Sequence, residues 1–208
     1  MYIDTKYKFF YNEITIRNIK EATMDRLRGF EIAKGWEDKG INLPKRSTKN
    51  SAGYDEFKKA LYKVNEELAK LIAKDGEGAT KLIQVTTNGA KTLKDAKKVS
   101  KSVITSSLFK AAVFGGDPNW GRILCAVGYS EADLMIDKVN IFLKAGNDMV
   151  QVAKNGMAQD FDIPKAEKIL KAETVEIIIE LNDGEFEATA WGCDLSYDYV
   201  KINAEYHT

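Results

Sequence analysis

The sequence predicts a mixed α/β or α+β fold in which helices and strands pack in layers. Segments with helical periodicity alternate with β-branched segments from Gly53 onward, without a strict βαβ repeat. The composition, 44% hydrophobic and 30% charged, is that of an ordinary globular protein. With 208 residues, the chain has the length of one ordinary domain or two small ones.

The first quarter of the chain, residues 1–52, sustains no period. The stretch "YKFFYNEITIRNI" suits a strand, "EATMDRLRGFEIAKGW" suits a short helix, and "EDKGINLPKRSTKNSAG" has the composition of a loop. After Gly53 we predict an amphipathic helix that ends near Asp75 and Gly76. Its apolar face comprises Phe57, Leu61, Val64, Leu68 and Leu71.

A strand and further helical segments follow. The β-branched stretch "TKLIQVTTNGA" predicts the strand, and Thr92 and Asp95 have capping-box spacing at the start of the next helix. An apolar run, a Gly-Gly-Asp-Pro turn and a helix-like segment from Asn119 to about Val127 come after it. The apolar face of the capped helix comprises Leu93, Ala96, Val99 and Val103.

The last third of the chain predicts mostly strands. "KVNIFLKAG" and "NDMVQVAKNG" are typical of strands, and "DIPKAEKILKA" is a short helix with Pro164 in its first turn. "ETVEIIIEL" and "EFEATAWGCDL" are predicted strands, joined by "NDGE" as a hairpin. "SYDYVKINAEY" is a helix or helical turn.

Charge and residue counts exclude several functional classes. The 31 basic and 31 acidic residues cancel, which argues against a nucleic-acid partner. Two cysteines, Cys125 and Cys193, do not make a disulfide framework and indicate a reducing compartment. We expect a cytoplasmic protein without a membrane partner, because neither a signal peptide nor a spanning apolar run is visible. The single histidine, His207, excludes a Cys2His2 zinc site, and we predict no metal.

The stretch "AKDGEGATKL" places Glu77 between two glycines, directly after a predicted helix. Because a helix C-terminus carries partial negative charge, this loop disfavours an anion and favours a cation. We interpret Glu77 as a candidate ligand for an ammonium group, with the flanking glycines leaving room for close approach. The alternative is a helix-terminating turn with a solvated carboxylate.

Two further stretches are candidates. Asp117, Asn119 and Arg122 in "GGDPNWGR" form either a polar binding cluster or the cap of the helix beginning at Asn119. "WGCDLSYDYVKINAEYHT" is rich in large residues, so we expect it to be docked, with its end lining a site. Cys193 has no plausible histidine partner and reads as a small buried apolar residue.

Together, the three stretches "AKDGEGATKL", "FGGDPNWGRILCAVGYS" and "WGCDLSYDYVKINAEYHT" resemble one enzyme family. From about residue 54 to residue 208, the chain is similar to the β-chain of ornithine acetyltransferase, the bifunctional glutamate N-acetyltransferase (ArgJ) family of arginine biosynthesis. The motifs occur in the order that the family has them, which is more specific than any single glycine-rich motif.

The resemblance implies an α/β layered sandwich, with helices packed on β-sheets and a smaller C-terminal α/β subdomain. Residues 53–130 are then part of the larger α/β domain of the β-chain, and residues 131–208 form the smaller C-terminal domain. Residues 1–52 are an atypical N-terminal segment that does not match the family.

The resemblance also implies an N-acyltransferase that moves an acetyl group from N-acetylornithine to glutamate. In the family a threonine that opens the β-chain takes the acetyl group, and an α-chain supplies oxyanion donors in an α2β2 assembly. Some members also accept acetyl-CoA as the acetyl donor, and no other cofactor is implied. The substrate-binding residues of the family fall on Glu77, Asn203 and Thr208.

The catalytic residue is not identified by this resemblance. The nearest echo of the family nucleophile is Thr23 in "EATMD", which lacks the preceding Pro-Asn-Met and is followed by an acid. Three hypotheses stay open: an acetyltransferase that needs a partner chain, a catalytically inactive module that binds ornithine, and a truncated remnant without the nucleophile and the α-chain.

Overall fold

The computed structural model of the chain describes residues 54–205. The elements predicted for residues 1–52, together with Thr23 and Thr208, lie outside these residues. By its internal contacts the chain divides into two compact units, Met1–Leu68 and Ala69–Thr208.

The described residues form six α-helices and six strands, joined by loops. The helices are α1 (Tyr54–Lys74), α2 (Leu93–Thr105), α3 (Ser107–Gly115), α4 (Trp120–Gly128), α5 (Ile163–Leu170) and α6 (Tyr197–Glu205). The strands are β1 (Leu82–Ala90), β2 (Asn140–Ala145), β3 (Asp148–Lys154), β4 (Met157–Ala158), β5 (Thr174–Glu180) and β6 (Phe186–Cys193). A 3-10 turn, Ile136–Lys138, precedes β2.

The strands form one mixed sheet in the order β4-β3-β2-β5-β1-β6. β1 pairs with β5 in parallel, and every other neighbouring pair is antiparallel. The prediction of a mixed α/β fold is confirmed. The sheet takes β1 from residues 53–130 and the remaining strands from residues 131–208, and the assignment of these two ranges to different family domains stays a prediction.

The core lies between the sheet and the helices packed on it. Alternate residues of β1 and β5 are buried, as are Ile141 and Leu143 of β2. Helix α2 packs on β1 and β6, whereas α5 packs on β2 and β3. Ala96, Val99 and Val103 of α2 are fully buried, as their spacing predicts, but Leu93 is half exposed at the first position of the helix. Helix α1 forms where predicted, yet none of its residues is buried.

The predicted helix starts are confirmed by their caps. Thr92 accepts a hydrogen bond from the backbone N–H of Asp95, and Asn119 accepts one from that of Arg122. Asp162 caps α5 in the same way, with Pro164 in the first turn. Each cap satisfies a backbone donor that the helix leaves without an internal partner, so short-range sequence signals determine where these helices begin.

The predicted hairpin between β5 and β6 is wrong, because β1 lies between the two strands. The connection crosses the end of β1 instead: the N–H of Leu181 bonds to Asn88 O and that of Asp183 to Gly89 O, both at 2.9 Å. A Cβ on Gly184 would lie 2.2 Å from Ala90 O. The glycine of "NDGE" is therefore required for close passage over β1, and not for a two-residue turn.

Asp183, in this connection, is held by two lysines. Its Oδ1 accepts a hydrogen bond from Lys138 Nζ at 2.8 Å, and its Oδ2 lies 3.3 Å from Lys91 Nζ. The hydrogen bond from Lys138, aided by Lys91, holds the pKa of Asp183 below its ordinary value of 3.8, although burial acts in the opposite direction. A carboxyl group with a lowered pKa stabilises the fold above its unfolded pKa, and this contribution is lost as the pH falls through the folded pKa.

The free energy of unfolding of the wild type should exceed that of Asp183→Asn at neutral pH. We expect this difference to become smaller as the pH falls below about 4. Urea unfolding at a series of pH values measures this difference. Asp160→Asn, which changes an exposed carboxylate, is the matched control and should show no such trend. A difference for Asp183→Asn that is the same at neutral and acidic pH would contradict the role of the two lysines.

Between residues 54 and 205, no helix combines the length and apolar composition needed to cross a bilayer.

Candidate functional site

Glu77 lies on the loop 75–81, between α1 and β1, with its side chain exposed. Gly78 has a φ of +66°, and a Cβ there would lie 2.6 Å from Tyr199 N and 2.9 Å from Ser196 Oγ. A Cβ on Gly76 would lie 2.7 Å from Cys193 Sγ. Both glycines are therefore needed because the loop passes directly against the segment 193–199 of the same chain. The sequence predicts that the two glycines leave room for an ammonium ligand, whereas in the structure they make room for this segment of the same chain.

Asn203 of helix α6 meets Glu77 across this contact. Its Nδ2 donates to Glu77 Oε2 at 2.9 Å and to Tyr199 O at 2.9 Å, so both amide hydrogens are used. The structure thus brings together two residues that are 126 positions apart in the sequence. Thr208, the third residue that the sequence singles out, lies outside the described residues.

Asp194 anchors the other end of the loop to the end of β6. Its buried carboxylate accepts hydrogen bonds at Oδ1 from the backbone N–H groups of Thr80, at 2.8 Å, and Lys81, at 3.0 Å. The hydroxyl of Thr80 donates to Oδ2. The N–H of Asp194 in turn bonds to Lys81 O at 3.3 Å. These bonds fix residues 80 and 81 against residue 194, where the loop enters β1.

Lys81 extends this anchor to helix α3. Its Nζ donates to Val113 O at 2.7 Å and to Phe114 O at 3.1 Å, which are carbonyls of the last turn of α3. A cation at this position compensates the partial negative charge of the helix end. Burial lowers the pKa of Lys81, while the charge of Asp194 acts in the opposite direction. Lys81 therefore stabilises the loop and α3 and does not point toward the Glu77–Asn203 pair as a free cation.

Ser196 joins the middle of the loop to the start of α6. Its Oγ donates to Gly78 O at 2.6 Å and accepts from the backbone N–H of Tyr199 at 3.3 Å. Next to it, the ring of Tyr197 packs edge-on against Phe114, with centroids 5.4 Å apart. The C-terminal stretch is thus docked at its first turn, as predicted, by contacts to the loop and to α3.

The polar cluster of "DPNWGR" has a structural role in the described chain. Asn119 caps α4 and its Nδ2 donates to Asp117 Oδ2 at 3.0 Å, while an Arg122 guanidinium nitrogen, Nη1, donates to Leu108 O at 2.8 Å. These bonds connect the turn, α4 and α3. Of the two interpretations that the sequence leaves open, the cap is the one that the structure supports.

The Glu77–Asn203 pair has the chemistry of a cation acceptor. Among residues 54–205, Glu77 Oε1 and Asn203 Oδ1 have no hydrogen-bond partner, so two acceptor oxygens remain available on one exposed contact. A primary ammonium carries three donors and a positive charge, which matches a carboxylate oxygen and an amide oxygen. The arrangement therefore suits an ammonium group and disfavours an anion.

Asp194, Ser196 and Lys81, which support this site, were not predicted from the sequence. All three lie inside the stretches that it singled out, but nothing in their spacing indicates which backbone groups they bind. The nearest available signal is an aspartate in the apolar surroundings of "WGCDL", since a buried carboxylate needs hydrogen-bond partners.

A family model described as the ArgJ family matches residues 11–208, so the match reaches into residues 1–52, which the sequence analysis sets apart. The chain is 56% identical over 155 residues to the arginine biosynthesis bifunctional protein ArgJ of Caldanaerobacter subterraneus subsp. tengcongensis, covering 74% of this chain and 38% of that protein. It is 52% identical over 158 residues to the glutamate N-acetyltransferase of Methanocaldococcus jannaschii, covering 74% of this chain and 39% of that protein.

A solved structure of a protein with the same name has a similar fold. The crystal structure of the arginine biosynthesis bifunctional protein ArgJ from Bacillus halodurans matches with a TM-score of 0.70 and 41% identity, covering 76% of this chain and 73% of that one. The chain spans about two-fifths of the length of the curated relatives that it matches. The family match over nearly the whole sequence and the similar fold lead to one conclusion: the chain belongs to the ArgJ family.

Proposed function

We propose that this chain takes part in acetyl transfer from N-acetylornithine to glutamate in arginine biosynthesis, and that it supplies the site for the ornithine ammonium. The observation that carries the proposal is the contact between Glu77 and Asn203, which leaves two acceptor oxygens unpaired within residues 54–205. Family membership and the names of the relatives support the reaction class.

N-acetylornithine matches this pair by its charge. Its α-nitrogen is acylated and therefore neutral, so its δ-ammonium is the only cationic group, and Glu77 is the carboxylate that would face it. Thr208 is proposed as a third contact, on the strength of the family resemblance alone. Acetyl-CoA remains an alternative acetyl donor under this proposal.

The proposal requires a partner for catalysis. The chain spans about two-fifths of its relatives, and the nearest match to the family nucleophile, Thr23, lies outside the described residues. We propose that an α-chain completes the pocket in an α2β2 assembly and provides the oxyanion donors. The catalytic nucleophile itself is not assigned to a residue of this chain.

Binding of N-acetylornithine tests the site. Since an exposed ion pair contributes only about 1 kcal/mol or less, we expect weak binding by the isolated chain, with a Kd of roughly millimolar order. NMR titration of the ¹⁵N-labelled chain detects such binding through the side-chain amide of Asn203. N-acetylnorvaline, which has the same carbon chain without the ammonium, is the matched ligand and should bind more weakly by up to about fivefold, the factor that corresponds to about 1 kcal/mol.

Glu77→Gln, which removes the charge and keeps the shape, should abolish the preference for N-acetylornithine over N-acetylnorvaline. Glu187→Gln, an exposed carboxylate on β6, serves as the control and should retain the preference. Equal responses to the two ligands in the wild type would contradict the ammonium site.

An acetyl-transfer assay separates the remaining hypotheses. The chain should form N-acetylglutamate from N-acetylornithine and glutamate only when mixed with the N-terminal part of a relative, and Glu77→Gln should lower that rate. Ligand binding without any transfer in the mixture would favour the inactive ornithine-binding module. A well-folded chain that shows neither binding nor transfer would favour the truncated remnant.

A further inference from the structure

Helix α6 carries Asn203 but is held to the rest of the chain mainly at its first turn. None of its residues is buried, and Tyr197 is 82% exposed despite its contact with Phe114. A helix that buries no side chain has no packed face to fix its direction. The position of Asn203, two turns further along, is therefore determined by the bonds at the start of the helix.

Ser196 makes those bonds. It is 4% exposed and precedes the first residue of α6, where its Oγ accepts from Tyr199 N–H in the manner of an N-cap. The same hydroxyl donates to the carbonyl of Gly78, the residue that follows Glu77. One buried hydroxyl thus bonds both the loop that carries Glu77 and the helix that carries Asn203.

The contact between Glu77 and Asn203 cannot fix this geometry alone. Both residues are exposed, and exposed side-chain pairs contribute little because solvent competes for their donors and acceptors. Ser196 is itself buried and its two hydrogen bonds are partly buried, so they are more costly to break than a bond between two exposed side chains. The left-handed Gly78 allows the approach that brings its carbonyl to Ser196.

We propose that Ser196 is a positioning residue of the ammonium site, which sets the distance between the Glu77 carboxylate and the Asn203 amide through its two bonds. The inference rests on the proposed function for the identity of the ligand. The contact that Ser196 controls is present without any ligand, so its test does not depend on binding.

The first arm of the test follows the side-chain amide signals of Asn203 in the ligand-free ¹⁵N-labelled full chain. In Ser196→Ala we expect these signals to move toward their positions in Glu77→Ala, while the backbone signals of α6 keep helical shifts. Ser130→Ala is the matched control: Ser130 is also buried, at 8% exposure, and its Oγ accepts from the N–H of Ala132 at 3.4 Å. It should leave the Asn203 signals unchanged.

The second arm measures the Kd for N-acetylornithine in the wild type, Ser196→Ala, Glu77→Gln and the double variant. We expect Ser196→Ala to weaken binding by up to about fivefold when Glu77 is present and to add little in the Glu77→Gln background, since Ser196 acts through Glu77. If Ser196 had a merely structural role, its substitution would weaken the binding of N-acetylornithine equally with Glu77 and with Gln at position 77.

The outcomes separate this inference from the proposed function. Asn203 signals that stay in place in Ser196→Ala overturn the positioning role, as does loss of the α6 helical shifts, which would make Ser196 necessary for the helix itself. Additive effects of the two substitutions on the Kd also overturn it. Signals that move as expected in a chain that does not prefer N-acetylornithine support the role of Ser196 and overturn the ammonium site.

Discussion

Replacing Asp194 by alanine is expected to lower the free energy of unfolding by about 3 kcal/mol or more. Asp194 is 3% exposed, and its carboxylate accepts hydrogen bonds from two backbone N–H groups and the Thr80 hydroxyl. Alanine would leave the partly buried N–H groups of Thr80 and Lys81 without the acceptor that Asp194 provides. It would also remove the negative charge beside Lys81. Urea unfolding followed by circular dichroism measures the change.

Asp194→Asn is the matched control for this prediction. Both backbone N–H groups bond to Oδ1, which asparagine retains, and the Thr80 hydroxyl can reverse to accept from the new amide. We expect a loss of about 1 kcal/mol, chiefly from the missing charge. If alanine proved no more destabilising than asparagine, the hydrogen bonds of Asp194 would not be what anchors the loop.

Replacing Gly78 by alanine is expected to separate the loop from helix α6. Alanine at a φ of +66° costs about 1–2 kcal/mol from its backbone conformation alone. The added Cβ would also lie 2.6 Å from Tyr199 N and 3.0 Å from the carbonyl carbon of Asp198. Because those atoms belong to the backbone, they yield only if α6 moves. We expect faster hydrogen exchange of the α6 amides and loss of the Asn203 contact with Glu77.

Gly116→Ala carries only the conformational part of this cost, so its comparison with Gly78→Ala isolates the steric part. Gly116 has a φ of +72°, but a Cβ there would meet no atom within 4 Å. It should cost about 1–2 kcal/mol of stability and leave hydrogen exchange in α6 unchanged. Equal exchange in the two variants would show that the loop does not need close contact with the start of α6.

The geometry of the Glu77–Asn203 pair depends on buried residues that hold the surrounding segments in place. Glu77 and Asn203, two of the residues that we propose to meet the substrate, are exposed, whereas Asp194 and Ser196, which hold their segments together, are buried. Precise placement of an exposed pair requires that the elements beneath it be rigid, since neither side chain is fixed by packing. Substitutions at the supports are therefore expected to affect binding as strongly as substitutions of the pair.

Local features of the sequence were sufficient to place most elements. The caps at Thr92, Asn119 and Asp162 mark the starts of three helices, because an N-cap bonds to a donor only two or three residues away. The β-branched stretches became β1, β2, β3 and β5, since their alternation matches a half-buried sheet. Motif resemblance pointed to Glu77 and Asn203, and to the family that the comparisons identify.

Local sequence features did not predict which distant segments pair with one another. A strand's own residues do not reveal which neighbour it will have, so "NDGE" indicated a hairpin although β1 inserts between β5 and β6. For the same reason, the bonds of Asp194 and Ser196 to the loop, 113 to 118 positions earlier, had no sequence signal. Local sequence signals were enough for most of the elements, for the starts of three helices and for the candidate residues, although α3 was predicted only as an apolar run and β4 was not predicted. Only the tertiary structure decided which backbone groups meet, because a buried polar group takes its partner from whatever the fold brings within hydrogen-bonding distance.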